Sequence, residues 1–361
     1  MNSSDAIVVG AGQAGLAAAR SLLARGLNPV VSEAGPEPVG SWPRYYDSLV
    51  LFSPARYSAL PGLPFPGDPD HYPHRDEVVD YLRRYAATLD ADIRTDQRVT
   101  DVHPDGDGFA VHTPTTTSTA PLLIAASGGF GTPHRPDLPG LHTFTGHVLH
   151  AADYRSPQPF AGQRVVVVGA RNSAVQIALE LARHAHVTLA SRAPIRYAPQ
   201  RLLGRDVHFW SAVLGYDRLP IGHLLRTEPG IPVVDDGTYR PAIDVGRPAR
   251  RPMFTHVDGD QVIWPDGRHE HVDTILLATG YRPALDHLTP LGALDATGSP
   301  RHSRGLSCTH PGLGYVGLEW QRSFASATLR GVGRDADHVT TRLWRRTSGS
   351  NRCCARAAAA A

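Results

Sequence analysis

A strand, a glycine turn, a helix and a second strand follow one another at the start of this chain, and few folds accept that order. Ala6-Ile7-Val8-Val9 is an apolar run, the mark of a strand buried on both faces. Gly10, Gly12 and Gly15 follow in G-x-G-x-x-G spacing, with Ala11, Gln13 and Ala14 between them. Residues 16–26 then have helical periodicity, and a second strand over residues 28–32 ends at Glu33. An acid about 20 residues past the glycines completes a βαβ dinucleotide-binding unit. Each residue has a physical task. Gly10 permits a tight turn, Gly12 lets the backbone approach a pyrophosphate, and Gly15 lets helix and strand pack closely. The helix N-terminus stabilises the phosphate charge. Glu33 can accept from ribose hydroxyls, which suits an adenosine with a free 2′-hydroxyl, so FAD or NAD rather than NADP.

The pattern recurs further along. Residues 165–168 form another buried strand, residues 170–185 a helix, and residues 187–190 a strand ending near Ser191 and Arg192. Gly10 and Gly169 head two divergent copies of one unit, and two units imply two nucleotides. Arg192 stands where the first copy has its acid. It either pairs with a 2′-phosphate, favouring NADPH over NADH, or is a solvated surface arginine. Arg171 occupies the place of the second glycine, ahead of Asn172, Ser173 and Ala174. Its side chain crowds the pyrophosphate, points outward, or adds charge to a phosphate. A third buried strand, residues 273–281, ends in Ala278-Thr279-Gly280-Tyr281.

Composition removes several kinds of chemistry. The chain of 361 residues has no lysine, which rules out Schiff-base catalysis and any phosphate loop that needs lysine. Cysteine occurs only at 308, 353 and 354, so there is no C-x-x-C dithiol. A net charge of +2 with no basic stripe gives no basis for nucleic-acid binding. No apolar run approaches the ~18 residues of a membrane span. The first residues turn straight into a strand without a basic leader, so the expected location is cytoplasmic.

Between the units the chain is less regular. Residues 49–66 are apolar and proline-rich, fit to wrap a core or a ligand. Residues 75–89 read as an amphipathic helix. His71 and His74 precede it with conceivable metal-ligand spacing, but no acid–His–Cys cluster supports it, so no metal is expected. Alternation over residues 97–103, 109–113 and 121–125 suggests a small β-meander, with residues 115–117 as its exposed turn. Residues 199–241 are irregular and helical, residues 253–272 give strand signals around two turns, and the low-complexity tail from Thr347 reads as disordered.

One stretch connects these parts. Phe144, Gly146, His150 and Tyr154 fit F-x-G-x-x-x-H-x-x-x-Y, which resembles the fingerprint of flavin-containing monooxygenases. Four further elements in order strengthen the resemblance: the first glycine motif, a G-x-W turn ending at Trp42, Asn172-Ser173-Ala174, and Ala278-Thr279-Gly280-Tyr281. Ala126-Ser127-Gly128 is similar to the A-T-G that closes an FAD domain. The resemblance covers residues 5–345 and includes plant YUCCA-type enzymes and bacterial relatives associated with arsenic or metal resistance.

The resemblance implies an α/β fold of two Rossmann-like domains, the NADPH domain inserted into the FAD domain. The expected boundaries are 1–150 and 273–346 for FAD, 151–272 for NADPH with a helical insert at 199–241, and a tail at 347–361. It implies FAD contacts at Gly10, Gly12, Gln13, Ala14, Gly15, Glu33, Trp42, Val99, Ala126, Gly128 and Gln321. Gly169, Arg171, Asn172, Ser173, Ala174, Arg192 and Gly280 are expected to meet NADPH or line the domain interface. It also implies a helix from about residue 323, aimed at the flavin's pyrimidine edge. The chemistry expected is reduction of FAD by NADPH, addition of O2 at the flavin C4a, and transfer of one oxygen to a soft nucleophile of a small molecule. No side-chain acid or base is assigned; Ser53 and Gln321 are the nearby candidates, and His150 and Tyr154 read as hinge and packing. Many family members have an asparagine where this chain has Ser53-Pro54, so an uncoupled NAD(P)H oxidase or dehydrogenase stays open. Arg171 leaves a non-catalytic flavin redox sensor open. A homodimer is compatible with all three.

Overall fold

Two parallel sheets with matching strand order carry the chain. The computed structural model describes residues 4–222 and 230–358, with side chains as far as residue 345. In chain order the main elements are β1 Ala6–Val9, α1 Gln13–Leu23, β2 Pro29–Ser32, α2 Arg75–Ala87, β3 Asp92–Arg94 and β4 Leu122–Ala125. Then come β5 His147–His150, β6 Arg164–Val168, α3 Asn172–Leu181, β7 His186–Ser191, β8 Ala249–Pro252 and β9 Thr274–Leu277. The chain finishes with β10 Leu313–Tyr315 and α4 Leu329–Ala358. The first sheet runs β10-β4-β1-β2-β3, parallel throughout, with a hairpin of His302–Ser303 and Leu306–Ser307 on its β10 edge. The second runs β8-β7-β6-β9-β5, also parallel.

This pairing moves both expected domain boundaries. β5 lies before residue 150 and β9 after residue 273, yet both belong to the second sheet, where they pair with each other. The first sheet is therefore left before His147 and rejoined after Leu277. The apolar run of β9 records that it is buried and the exposed pattern of β5 that it is an edge, but neither records which neighbour it bonds. The same reason explains a second correction. Leu122–Ala125 leaves the meander and pairs with β1, and Thr117–Ala120 takes its place beside Gly108–His112.

Burial sets the layers. α1 turns Leu16, Ala18 and Leu22 into a core shared with Val78 and Leu82 of α2 and Val332 and Leu343 of α4. Where α1 meets α4, the hydroxyls of Ser21 and Thr340 satisfy each other at 2.8 Å. The meander covers the opposite face through Phe109 and Val111. In the second sheet, α3 packs on one face and Phe254 and Trp264 on the other. The expected helix from residue 323 begins at Leu329, and it runs through the segment expected to be a disordered tail as far as Ala358. Residues 359–361 lie outside the described residues. Among the described residues no helix is long and apolar enough to cross a membrane.

His287, buried against the meander, has no hydrogen-bond partner for Nε2 among the described residues. Burial pushes its pKa down to about 4. The unfolded chain, with an ordinary value near ~6.5, takes the proton first. Stability is therefore complete above that pH and is lost as the pH falls towards 4, by roughly 2–3 kcal/mol at pH 4.5. Urea midpoints at pH 7 and 4.5 should converge in His287→Leu; an unchanged gap would count against this assignment.

Candidate active site at two matched crevices

Ligands of open parallel sheets bind beyond the carboxyl ends of the strands, where the strand order reverses. That point lies between β1 and β4 in the first sheet and between β6 and β9 in the second. The two are built alike. Gly10 N–H bonds to Ser32 O at 2.7 Å, and Gly169 N–H to Ala190 O at 3.0 Å. A Cβ on Gly10 would stand 2.8 Å from the Ala126 oxygen, and one on Gly169 would stand 2.5 Å from the Ala278 oxygen. Both glycines have positive φ, +99° and +155°. The chain therefore crosses each crevice with no room for a side chain.

In the first crevice, α1 starts at Gly12 with no side-chain cap, so its leading N–H groups are left for a ligand. A Cβ on Gly12 would meet only Gly40 Cα, at 3.6 Å, whereas one on Gly40 would stand 2.7 Å from Gly12 Cα. The loop before Trp42 thus folds over the turn. Trp42 Nε1–H donates to Gln13 Oε1 at 2.6 Å, and Gln13 Nε2–H to Ala327 O at 3.2 Å. Ala14 is buried beneath the turn. Glu33 is buried and accepts from Ala11 N–H at 2.6 Å and Gly35 N–H at 2.8 Å. A carboxylate has about four acceptor positions, so it can brace the turn and still take a ribose hydroxyl. Val99 packs at the edge of the meander core, and Gly128, at φ +80°, faces open space.

Two expected contacts are corrected in kind. Gln321 is 2% exposed; its Nε2 donates to Tyr315 O at 2.8 Å and its Oε1 accepts from Leu318 N–H at 3.3 Å. The amide closes its own turn, leaving only backbone to face a ligand. Ser53 Oγ is paired with Ser58 Oγ at 2.9 Å inside the proline-rich segment. Both side chains are consumed by nearby turns because short polar side chains bond locally when buried.

The second crevice tolerates its arginine. Arg171 has extended backbone, φ −104° and ψ −178°, close to that of Gly12 at −74° and −172°. Any residue adopts that conformation. The Arg171 and Arg192 side chains are exposed and make no ion pair or hydrogen bond among the described residues. Asn172 is spent on structure: Oδ1 accepts from Val234 N–H at 3.0 Å and Nδ2 reaches Pro232 O at 3.4 Å. Ser173 is half-buried in the first turn of α3, and Ala174 is fully buried.

His150 ties the end of β5 to the linker that leaves β9 of the second sheet. Fully buried, it receives Ala152 N–H on Nδ1 and donates Nε2–H to Gly280 O, both at 3.0 Å. Those partners set the tautomer, and burial pushes the pKa down, keeping the ring neutral. Tyr154 OH donates to Glu180 at 2.8 Å, and Tyr46 OH donates to Gln176, so residues on both sides of β5 grip α3. The sequence reading missed Tyr46, whose partner lies 130 residues away.

It also missed how the expected insert docks. A short hairpin, Arg201–Leu202 with Arg205–Asp206, and a helix, Val207–Val213, are followed by buried Asp217, which pairs with Arg330 at 3.0 Å. Gly222 N–H bonds to Arg322 O at 2.8 Å. The insert therefore closes over the first crevice. Residues 223–229 of the expected insert lie outside the described residues.

Comparisons with known proteins agree with this architecture. Residues 7–203 match the family described as pyridine nucleotide-disulphide oxidoreductase. The chain is 31% identical over 340 residues to an uncharacterized CzcO-like oxidoreductase of Geobacillus kaustophilus, covering 93% of this chain and 97% of that one. It is 32% identical over 317 residues to the indole-3-pyruvate monooxygenase YUCCA1 of Oryza sativa subsp. japonica, covering 77% and 76%. A solved flavin-containing monooxygenase from Stenotrophomonas maltophilia superposes with a TM-score of 0.85 at 30% identity, covering 96% of this chain and 100% of that one.

Proposed function

We propose that this chain, a flavin-dependent monooxygenase of the flavin-containing monooxygenase-like family, works with FAD and NADPH and oxygenates a soft nucleophile (an amine, sulfur or trivalent arsenic compound) with one atom of O2. The observation that carries the reading is the matched pair of crevices, each crossed by a glycine with no room for a side chain. The residues of the first crevice fit FAD. The uncapped start of α1 and the bare Gly12 would receive the pyrophosphate, Glu33 the ribose, and Val99 the adenine edge. Ala126 and Gly128 would wall the crevice, and backbone at Gln321 would meet the ring system. The second crevice would hold NADPH, with Gly169 at the turn and Arg171 and Arg192 supplying charge to its phosphates. Gly280, held by His150 and by His134 N–H, fixes the wall between the two.

When bound, the flavin supplies what no side chain here can: hydride acceptance and oxygen activation. The chain's own work is to hold the two crevices in register and to keep water out under the insert.

Product formed, hydrogen peroxide released and NADPH consumed should be measured together across amines, thioethers and arsenite. Product close to one per NADPH is expected for at least one class. Peroxide alone with every substrate would make the chain an uncoupled oxidase. Unchanged flavin absorbance on anaerobic mixing with NADPH would make it a binding protein.

A further inference from the structure

We propose that His208, oriented by Asp206 and Tyr72, is a general base that removes a proton from the nucleophile, so that the substrate is an ionisable amine or thiol rather than a thioether. The inference rests on the monooxygenase reading above and narrows its substrate class.

His208 is 3% exposed, yet it is placed for chemistry. Its Nδ1 lies 2.7 Å from Asp206 Oδ1, which also accepts the His208 backbone N–H at 2.8 Å. The other oxygen, Oδ2, accepts the Tyr72 hydroxyl at 2.6 Å. A carboxylate on Nδ1 holds the proton there and leaves the Nε2 lone pair free as a base, the arrangement by which acid–histidine pairs orient an imidazole. Nε2 meets no hydrogen-bond partner among the described residues. The ring is buried, but Nε2 is not among the fully enclosed unpartnered atoms, so that nitrogen keeps an open approach for a ligand or water.

The faces of the ring meet aromatic neighbours. The imidazole stacks on Phe52 at 6.1 Å and on Tyr57 at 6.4 Å. These residues bracket Ser53 and Ala55, and Ala55 shares a buried core with Ala11, Ala14 and Val39 of the first crevice. His208 therefore ties the insert to the proline-rich segment that the resemblance sets near the flavin. The titratable and charged groups around it are Asp206 from its own segment, Tyr72 and Tyr57 from the body, and Arg201 beside Tyr72. Burial alone would raise the Asp206 carboxyl, but hydrogen bonds from His208 and Tyr72 outweigh it and hold it below the usual range. Burial and the bond to Asp206 push Tyr72 up to about 12, so it remains a donor.

The step is a proton transfer with no change in oxidation state. An N–H bond of a substrate ammonium, or the S–H bond of a thiol, breaks. Its electron pair stays on nitrogen or sulfur as the lone pair that attacks oxygen. The proton joins Nε2, the imidazolium is balanced by Asp206, and the proton passes to water as product leaves. A thioether has no such proton to lose.

The test measures kcat/KM from pH 6 to 9 for a matched amine and thioether, using holoenzyme of wild type, His208→Gln and Asp206→Asn. The amine-to-thioether ratio is expected to fall about 100-fold in His208→Gln at pH 6 to 7. The deficit should shrink as the pH approaches the amine's own pKa. Asp206→Asn keeps the cap and should show a smaller fall in the same direction. Because the readout is a ratio, inactive protein cancels. A ratio unchanged at every pH overturns the proposal, whether or not both activities drop. A wild-type enzyme that oxygenates neither substrate overturns the monooxygenase reading, and this inference with it.

Discussion

Gly15→Ala should leave the chain unable to retain flavin. A Cβ there would stand 1.8 Å from the Gly10 oxygen and 2.8 Å from its carbonyl carbon. Neither atom is the end of a flexible side chain, so α1 must shift away from the turn that begins the crevice. Overpacking of this kind costs about 3 kcal/mol or more. The shift would also misdirect the N–H groups proposed to receive the pyrophosphate, and flavin affinity should drop at least ~100-fold, since each 1.4 kcal/mol is about tenfold. The matching place in the second crevice is already alanine, Ala174, so Ala174→Gly should cost only about 1 kcal/mol. Flavin absorbance per chain after gel filtration, with a thermal melt, separates the two. Full flavin content and an unchanged melt in Gly15→Ala would refute the argument.

His150→Ala should loosen the linker that leaves the second sheet more than it disturbs the fold of either sheet. Removing the ring leaves Ala152 N–H unpaired and takes one of two donors from Gly280 O, with a cavity between them. The combined cost is about 3–4 kcal/mol. Tyr281, whose ring meets His150 edge-on at 5.0 Å, loses its support as well. A misplacement near 1 Å costs on the order of 100-fold in rate, so flavin reduction by NADPH should slow by about that factor while FAD stays bound. His150→Gln, able to restore the bond to Gly280, should recover part of the rate. Stopped-flow reduction under anaerobic conditions measures this directly; a normal rate in His150→Ala would remove the clamp from the account.

Much of the architecture was legible because glycine turns are a local matter. Gly10 and Gly169 reveal themselves by the strand before and the helix after, and the structure adds the carbonyl each one faces. The family pattern through Phe144, Gly146, His150 and Tyr154 was equally plain in the chain. Strand partnership was not. TILL reports burial and HVLH, on the sheet's edge, is mostly exposed; neither names its partner, and both boundaries were displaced by one strand. The local bonds of Gln321 and Ser53 were not legible either: an amide or hydroxyl bonds whatever the fold brings to it, and here that is its own turn.

By itself, then, the sequence determined that there are two nucleotide-binding units, where their turns lie and which family they belong to. Those facts depend on steric limits within a few residues of each glycine. The tertiary structure alone decided that Arg171 is tolerated, that His150 reaches Gly280, and that His208 meets Asp206, Tyr72, Phe52 and Tyr57. Most of those contacts span long stretches of chain, and hydrogen-bond geometry across them exists only once the cores have packed.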